Sequence, residues 1–259
     1  MLGDVIDLLV CPVCRDDLIL SDGSVRCPRG HSFDVARQGY LNLLNTPVRG
    51  DTPEMVAART AFLERGHYAP IAETVAALSA GDVLDAGAGT GHYLARAVRD
   101  RGLALDVSKH ALKKAAKAHP KIGAVAADVW KPLPVRDAAF DTVLNVFAPR
   151  NASEFHRVLK PTGRLITVTP NPDHLEPVVE RFGLLTVDDE KDRRLSDTLG
   201  DHFARDVTEP VAGWLDLTAA EVMSVIAMGP NAWHARAGDV REGARVRMSV
   251  QVTVWRPKS

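Results

Sequence analysis

Val-Leu-Asp-Ala-Gly-Ala-Gly-Thr-Gly-His-Tyr, residues Val83 to Tyr93, decides how the rest of the chain is read. Val83 and Leu84 end a short apolar run and Asp85 closes it. Gly87, Gly89 and Gly91 come next at alternate positions before Leu94-Ala-Arg-Ala-Val98 opens a helix-like pattern. That order predicts strand, glycine turn, helix. Glycine suits such a turn because the backbone bends tightly with positive φ and a ligand approaches without meeting a Cβ. A dinucleotide fingerprint would place a third glycine three residues after the second, but that position is His92. The G-x-G-x-G spacing therefore fits a loop for S-adenosylmethionine better than one for NAD. Asp85, Gly87, Gly89, Gly91 and His92 are its candidate contacts.

Beyond the turn the chain has the spacing of an open α/β sheet. Leu103-Ala-Leu-Asp106 reads as a second strand ending in an acid, and Asp106 lies 19 residues beyond Gly87. Such folds put a carboxylate there to accept hydrogen bonds from both ribose hydroxyls. Ser108 is the better cap for the next helix, which leaves Asp106 for the ribose; the Lys109, Lys113 and Lys117 stripe of that helix reads as a solvated face. Ala124-Val-Ala-Ala-Asp128 is a third strand, which sets Asp128, Val129 and Trp130 beside an adenine. Phe140 to Asn145 forms a fourth, running into Val146-Phe-Ala-Pro-Arg150 at the carboxyl edge, where open sheets bind ligands. Asn145 is thus expected at cofactor and substrate alike, with Phe147 stacking on a substrate ring and Arg150 holding an oxygen. After a helix over Glu154 to Leu159, stopped by Lys160-Pro-Thr-Gly163, Arg164 to Thr169 is a fifth strand. Trp214 to Leu217, a helix over Ala219 to Met228 and the alternating Val246 to Val254 complete the chain. Trp233 and His234 lie in the loop between, and His234 is a candidate proton acceptor. A closing antiparallel pair after parallel strands predicts a class I, Rossmann-like α/β methyltransferase fold with a seven-stranded mixed sheet.

All three cysteines lie near the start of the chain, as Cys11-x2-Cys14, twelve residues, then Cys27-x3-His31. Two short knuckles with four soft or borderline donors suit tetrahedral Zn2+. With every position filled by protein the metal has no open site, so its role is structural. Leu18-Ile-Leu20 and Ser24-Val-Arg26 around Asp22-Gly23 predict a hairpin between the knuckles. The expected organisation is a zinc ribbon over residues 1–36, a helical linker over 37–79 and the methyltransferase domain over 80–259.

Of 259 residues, 46% are apolar and 25% charged, the composition of an ordinary globular protein. No apolar run is long enough to cross a bilayer, and Met1 to Val10 carries Asp4 and Asp7 with no basic start. A cytoplasmic protein is expected. The formal net charge of -1 leaves any affinity for nucleic acid to local patches.

Several stretches taken together resemble the 23S rRNA guanine-N1 methyltransferases, the family that includes the tylosin-resistance methyltransferase of macrolide producers. They are the Cys11 to His31 pattern, Phe33-Asp-Val-Ala-Arg-Gln-Gly-Tyr-Leu-Asn-Leu-Leu44, Gly66-His-Tyr-Ala-Pro70, Asp85 to His92, Ala127-Asp-Val-Trp130, Leu144-Asn-Val-Phe-Ala-Pro-Arg-Asn151 and Ala227-Met-Gly-Pro-Asn-Ala-Trp-His234. The resemblance implies methyl transfer from S-adenosylmethionine to N1 of a guanine in a domain II hairpin of 23S rRNA. It also implies a homodimer whose ribbons embrace that hairpin, and macrolide resistance as a consequence. Two other readings fit the residues alone: a methyltransferase for a small molecule, or an inactive methyltransferase domain carrying an RNA-binding ribbon.

Overall fold

The structure, a computed structural model, describes residues 1–184, 191–229 and 240–258. It opens with a 3-10 helix, Leu2–Leu8, followed by three short antiparallel strands, β1 (Ile19–Ser21), β2 (Ser24–Arg26) and β3 (Ser32–Asp34). Asp22 and Gly23 turn β1 into β2, both with positive φ. Next come β4 (Tyr40–Asn42), α1 (Pro53–Glu64) and α2 (Ala69–Leu78). The main body runs β5 (Val83–Ala86), α3 (His92–Ala97), β6 (Gly102–Asp106), α4 (Lys109–Ala118), β7 (Ile122–Ala126), β8 (Phe140–Val146), α5 (Ala152–Val158) and β9 (Leu159–Pro170). It ends with α6 (Val178–Arg181), α7 (Lys191–Gly200), β10 (Phe203–Leu217), α8 (Ala219–Ala227) and β11 (Ala244–Pro257).

Helix starts follow their capping residues. Thr52 caps α1 ahead of Pro53, Ser108 caps α4, Asn151 caps α5, and Thr218 with Glu221 forms a reciprocal box on α8. Lys160 to Gly163, expected to end a helix, instead belongs to β9, because α5 already gives way to extended backbone at Leu159.

The main sheet has the order β10-β11-β9-β8-β5-β6-β7-β4. Neighbours from β4 through β9 are parallel, while β11 runs antiparallel to both β9 and β10. Seven of these strands are the expected ones. The eighth, β4, comes from the stretch read as a helical linker: Tyr40, Leu41 and Asn42 pair with Ala124, Val125 and Ala126 and cover the free edge of β7. Three residues without helical periodicity can satisfy an edge without announcing themselves as a strand.

One core lies between the sheet and α2, α3, α4 and α8, through residues such as Ile71, Leu94, Leu112 and Val222. The other takes in Phe155 of α5, Leu199 of α7 and the 3-10 helix, whose Leu2, Val5 and Leu8 share it with Leu84, Leu103 and Val125. Gly123 in β7 makes that last contact possible, since a Cβ there would stand 2.2 Å from Cγ2 of Val5. The ribbon is thereby fastened to the sheet. Arg15 donates to the carbonyls of Leu133 and Val135 at 2.6 and 3.0 Å, and Arg136 donates to the carbonyl of Asp7 at 2.6 Å.

Candidate functional site

Sγ of Cys11, Cys14 and Cys27 and a ring nitrogen of His31 all lie within 4.8 Å of one another. Cys14 and Cys27 are 3.6 Å apart, and Nδ1 of His31 is 3.6 Å from Cys11 and 3.2 Å from Cys27. Zinc with bonds near 2.3 Å to sulfur needs edges of roughly 3.5–3.8 Å, so the four donors fit the ion. They would hold it closed to substrate, and what it supplies is a folded ribbon. The three cysteines are free thiols, with no disulfide among them.

At the carboxyl edge β5 and β8 are neighbours, the place where the strand order reverses. A cleft of about 570 Å³ opens there, lined by Arg59 of α1, Gly87, Asp106 and Val107, Phe147 to Pro149, and Arg49 to Asp51. Its size suits a small ligand. Gly87 has φ +88, and a Cβ on it would lie 2.5 Å from the Cβ of Ala148, so only glycine lets the two loops close on each other. Gly89 donates its N–H to Asp106 at 2.8 Å, and Gly91 is the residue that caps α3. A second hollow of about 500 Å³ continues past Val107 and Ser108 under the 42–53 segment.

Asp106 has one carboxylate oxygen on the Gly89 N–H and the other on the Ser108 N–H, both at 2.8 Å. Each oxygen keeps acceptor capacity for a ligand hydroxyl. Burial raises its pKa, against the two backbone donors that lower it. Asp85, at the end of β5, is wholly buried with neither oxygen hydrogen-bonded. Burial, helped by the charge of Asp106, pushes it up to about 8.

Asn145 is also fully buried. Its Nδ2 donates to the carbonyls of Ala86 at 3.2 Å and Pro149 at 2.7 Å, tying the loop after β8 to the glycine turn, while Oδ1 has no partner. Nε2 of His92 and Oδ1 of Asn42 are likewise unpartnered and buried, and burial lowers the pKa of His92. Unpaired buried acceptors are costly and rare. Asn145 bonds Pro149 in the cleft wall, and Asp106 in that wall keeps acceptor capacity for ribose hydroxyls, so the cleft fits S-adenosylmethionine. Asp128 accepts from the Trp130 N–H at 3.0 Å, and the carbonyl of buried Val129 accepts from Asn151 at 2.9 Å, which fixes the loop after β7.

Phe147 holds φ +52 and is 41% exposed in the cleft. Its ring centroid lies 6.2 Å from Tyr68, 6.4 Å from Tyr93 and 6.1 Å from His174. Nearby Arg150 is half-buried with Nε unpaired, and desolvation lowers its pKa. His234 and Trp233 lie outside the described residues.

Sequence reasoning passed over three members of this site. Arg59 pairs with Asp51 and donates to the carbonyl of Met228 at 2.6 Å. It also stands 3.3 Å from where a Cβ of Gly89 would be. Buried Tyr68 meets Nε2 of His174 at 3.0 Å, and Nδ1 of His174 accepts the Ser249 N–H at 3.1 Å. A neutral imidazole with Nδ1 accepting carries its proton on Nε2, so His174 donates to Tyr68 and the tyrosine proton remains available. Burial raises the pKa of Tyr68. The Gly66 to Pro70 stretch hinted at Tyr68; nothing in the sequence singled out His174.

Comparison with known proteins agrees with this construction. Residues 9–50 match a zinc-ribbon family model described as the N-terminal region of RlmA, and residues 83–163 match a methyltransferase domain. Among solved structures, a chain of the complex between the Haloferax volcanii Trm112 methyltransferase activator and its methyltransferase shares the fold. It has a TM-score of 0.52 and 19% identity over 78% of this chain and 94% of its own. The 23S rRNA (guanine(748)-N(1))-methyltransferase of Streptomyces fradiae is 45% identical over 99% of both chains. A Micromonospora griseorubida protein, provisionally named a 23S rRNA (guanine-N1)-methyltransferase, is 45% identical over 98% of this chain and 99% of its own. With a zinc ribbon, an S-adenosylmethionine cleft and this likeness running from end to end, the chain belongs to the 23S rRNA (guanine-N1)-methyltransferase family.

Proposed function

We propose that this protein transfers the methyl group of S-adenosylmethionine to N1 of one guanine in a domain II hairpin of 23S rRNA. It works as a cytoplasmic homodimer whose ribbons hold the hairpin, and protection against tylosin-type macrolides is the consequence. The observation that carries this reading is that the likeness to the Streptomyces fradiae enzyme, named for guanine 748, runs through ribbon and sheet alike. Among the described residues no helix is long and apolar enough to cross a membrane.

The cofactor supplies an electrophilic methyl on sulfur. Asp106 would receive its ribose hydroxyls, and Asp128 and Val129 would border its adenine. Asp85 and Oδ1 of Asn145 would accept from its amino group across the turn of Gly87, Gly89, Gly91 and His92. Because Nδ2 of Asn145 is committed to Ala86 and Pro149, this residue meets ligands only as an acceptor. Holding donor and acceptor in line converts a bimolecular encounter into an oriented one.

N1 sits on the pairing edge of guanine, so the base must be swung out and read in a pocket. Phe147 offers it an aromatic face, and Arg150 a guanidinium for O6 or a phosphate. The N1 proton leaves before or during transfer. His174 does not take it, since one ring nitrogen accepts from Ser249 and the other faces Tyr68; His234 is the proposed acceptor. Incubating the protein with methyl-labelled cofactor and a transcript of the hairpin should yield 1-methylguanosine on nucleoside digestion. Label in another nucleoside, or transfer only to small molecules, would overturn the reading.

A further inference from the structure

The β10–β11 hairpin runs past the end of the sheet it closes. β9 pairs with β11 only as far as Pro170 opposite Val250, whereas β10 and β11 stay paired out to Leu217 opposite Ala244. At about 3.4 Å per residue, residues 244–249 carry the hairpin roughly 20 Å beyond β9, on the side where the cleft opens. The overhang is anchored to the site. Arg247 exchanges backbone hydrogen bonds with Leu175 and Glu176 at 2.7 and 3.0 Å, and Ser249 donates to His174, whose ring neighbours Phe147.

On this overhang Trp214 stands directly opposite Arg247. The guanidinium carbons of Arg245 and Arg247 lie 5.4 and 5.7 Å from the indole centroid, within cation–π range. Trp214 is nonetheless 54% exposed, while Leu217, Val246 and Met248 of the same hairpin are buried. The indole therefore contributes little to the core. Arg247 is braced by Asp173 at 2.6 Å. Arg245 touches Asp216 only at 3.9 Å, with those side chains 67% and 85% exposed, so its charge is held loosely.

We propose that Trp214, Arg245 and Arg247 form a stacking platform for an unpaired nucleotide of the RNA substrate that neighbours the target guanine. This rests on the rRNA reading of the cleft. A half-exposed indole with guanidinium groups over its ring offers its remaining aromatic surface to a base and the charge to a phosphate, the combination used in single-strand binding. A second copy of the chain fits less well, because a two-fold contact here would bring like guanidinium pairs together.

The test is steady-state methylation of the domain II hairpin transcript by the full chain, with RNA concentration varied. Trp214→Ala should raise the RNA KM roughly 5- to 150-fold, the equivalent of 1–3 kcal/mol of stacking. S-adenosylmethionine affinity and kcat at saturating RNA should be retained. Trp214→Phe should recover most of the loss, and Arg245→Glu should raise KM further at low salt. A Trp214→Ala protein that melts normally, binds cofactor and keeps its RNA KM within about twofold would strike out the platform. So would conversion of a dimer to a monomer with RNA affinity intact, which would make the face a contact between copies. If the unmodified protein neither binds nor methylates the transcript, the rRNA reading falls and takes the platform with it; an active protein with an indifferent variant removes the platform alone.

Discussion

The ribbon and the parallel sheet sit against each other but are folded by different means. In β5 and β7 every residue is buried, and the sheet is pressed between two continuous apolar layers. In the ribbon all three residues of β1 are exposed, and Val25 is the only buried residue of its three strands. A unit this small cannot bury enough apolar surface to order itself, so four donor atoms around an ion do what hydrophobic contact does in the sheet. The knuckles and the sheet therefore draw their order from different sources, although the 3-10 helix, Leu18 and Val25 share the sheet's second core. Losing the metal should cost RNA recognition first and cofactor binding last.

The largest effect should come from Cys27→Ser, or from removal of zinc by a chelator. Binding of structural zinc is worth on the order of 10 kcal/mol, so the ribbon should unfold and RNA methylation should vanish. S-adenosylmethionine affinity, measured by calorimetry, should stay within a few-fold; a parallel collapse of cofactor binding would show that ribbon and sheet are not separable. Gly87→Ala attacks the other side. It puts a Cβ 2.5 Å from Ala148 at φ +88, which should cost about 2–4 kcal/mol through strain and overpacking and abolish cofactor binding with the ribbon still metallated. Asp106→Ala should weaken the cofactor by about 1–3 kcal/mol, read by the same titration, without altering zinc content.

The smallest effect is a pH dependence confined to the sheet. The folded pKa of Asp85, about 8, lies above the ordinary carboxylate value because of burial and then Asp106. The stability it lends is therefore greatest with the carboxyl protonated and is lost as pH rises through about 8. A cationic amino group bound beside it favours the ionised form, so cofactor binding should release protons and tighten with rising pH, by at most about 1.4 kcal/mol per pH unit. Calorimetry in buffers of different ionisation enthalpy checks this. Asp85→Asn should flatten the dependence, raise the melting temperature above pH 8 and weaken the cofactor.

Most of the sheet was legible because strand, glycine turn and spaced acids are local patterns: Asp85, Gly87 and Asp106 fall where their spacing put them. The Cys-His knuckles were legible for the same reason. What escaped depends on contacts between distant segments. Residues 40–42 become a strand only because β7 offers a free edge. Asp106, read as a ribose ligand, also clamps the Gly89 and Ser108 amides, a role that appears once turn and strand meet. Arg59, Tyr68 and His174 come from α1, the turn before α2 and the loop after β9. No spacing rule links them, since the fold alone brings them to Phe147. Trp214 was readable as part of a strand, but its exposure on an overhang was not.

The proposed division of labour gives methyl transfer to the sheet and selection of the RNA to the ribbon. Primer extension along the domain II hairpin, after incubation with S-adenosylmethionine, separates the two roles in one experiment, because a methyl on N1 blocks base pairing. One new strong stop is predicted for the intact protein and none for a Cys27→Ser protein that still binds the cofactor. Incorporation of methyl groups without a stop, or equal stops with the ribbon unfolded, would contradict this division of labour.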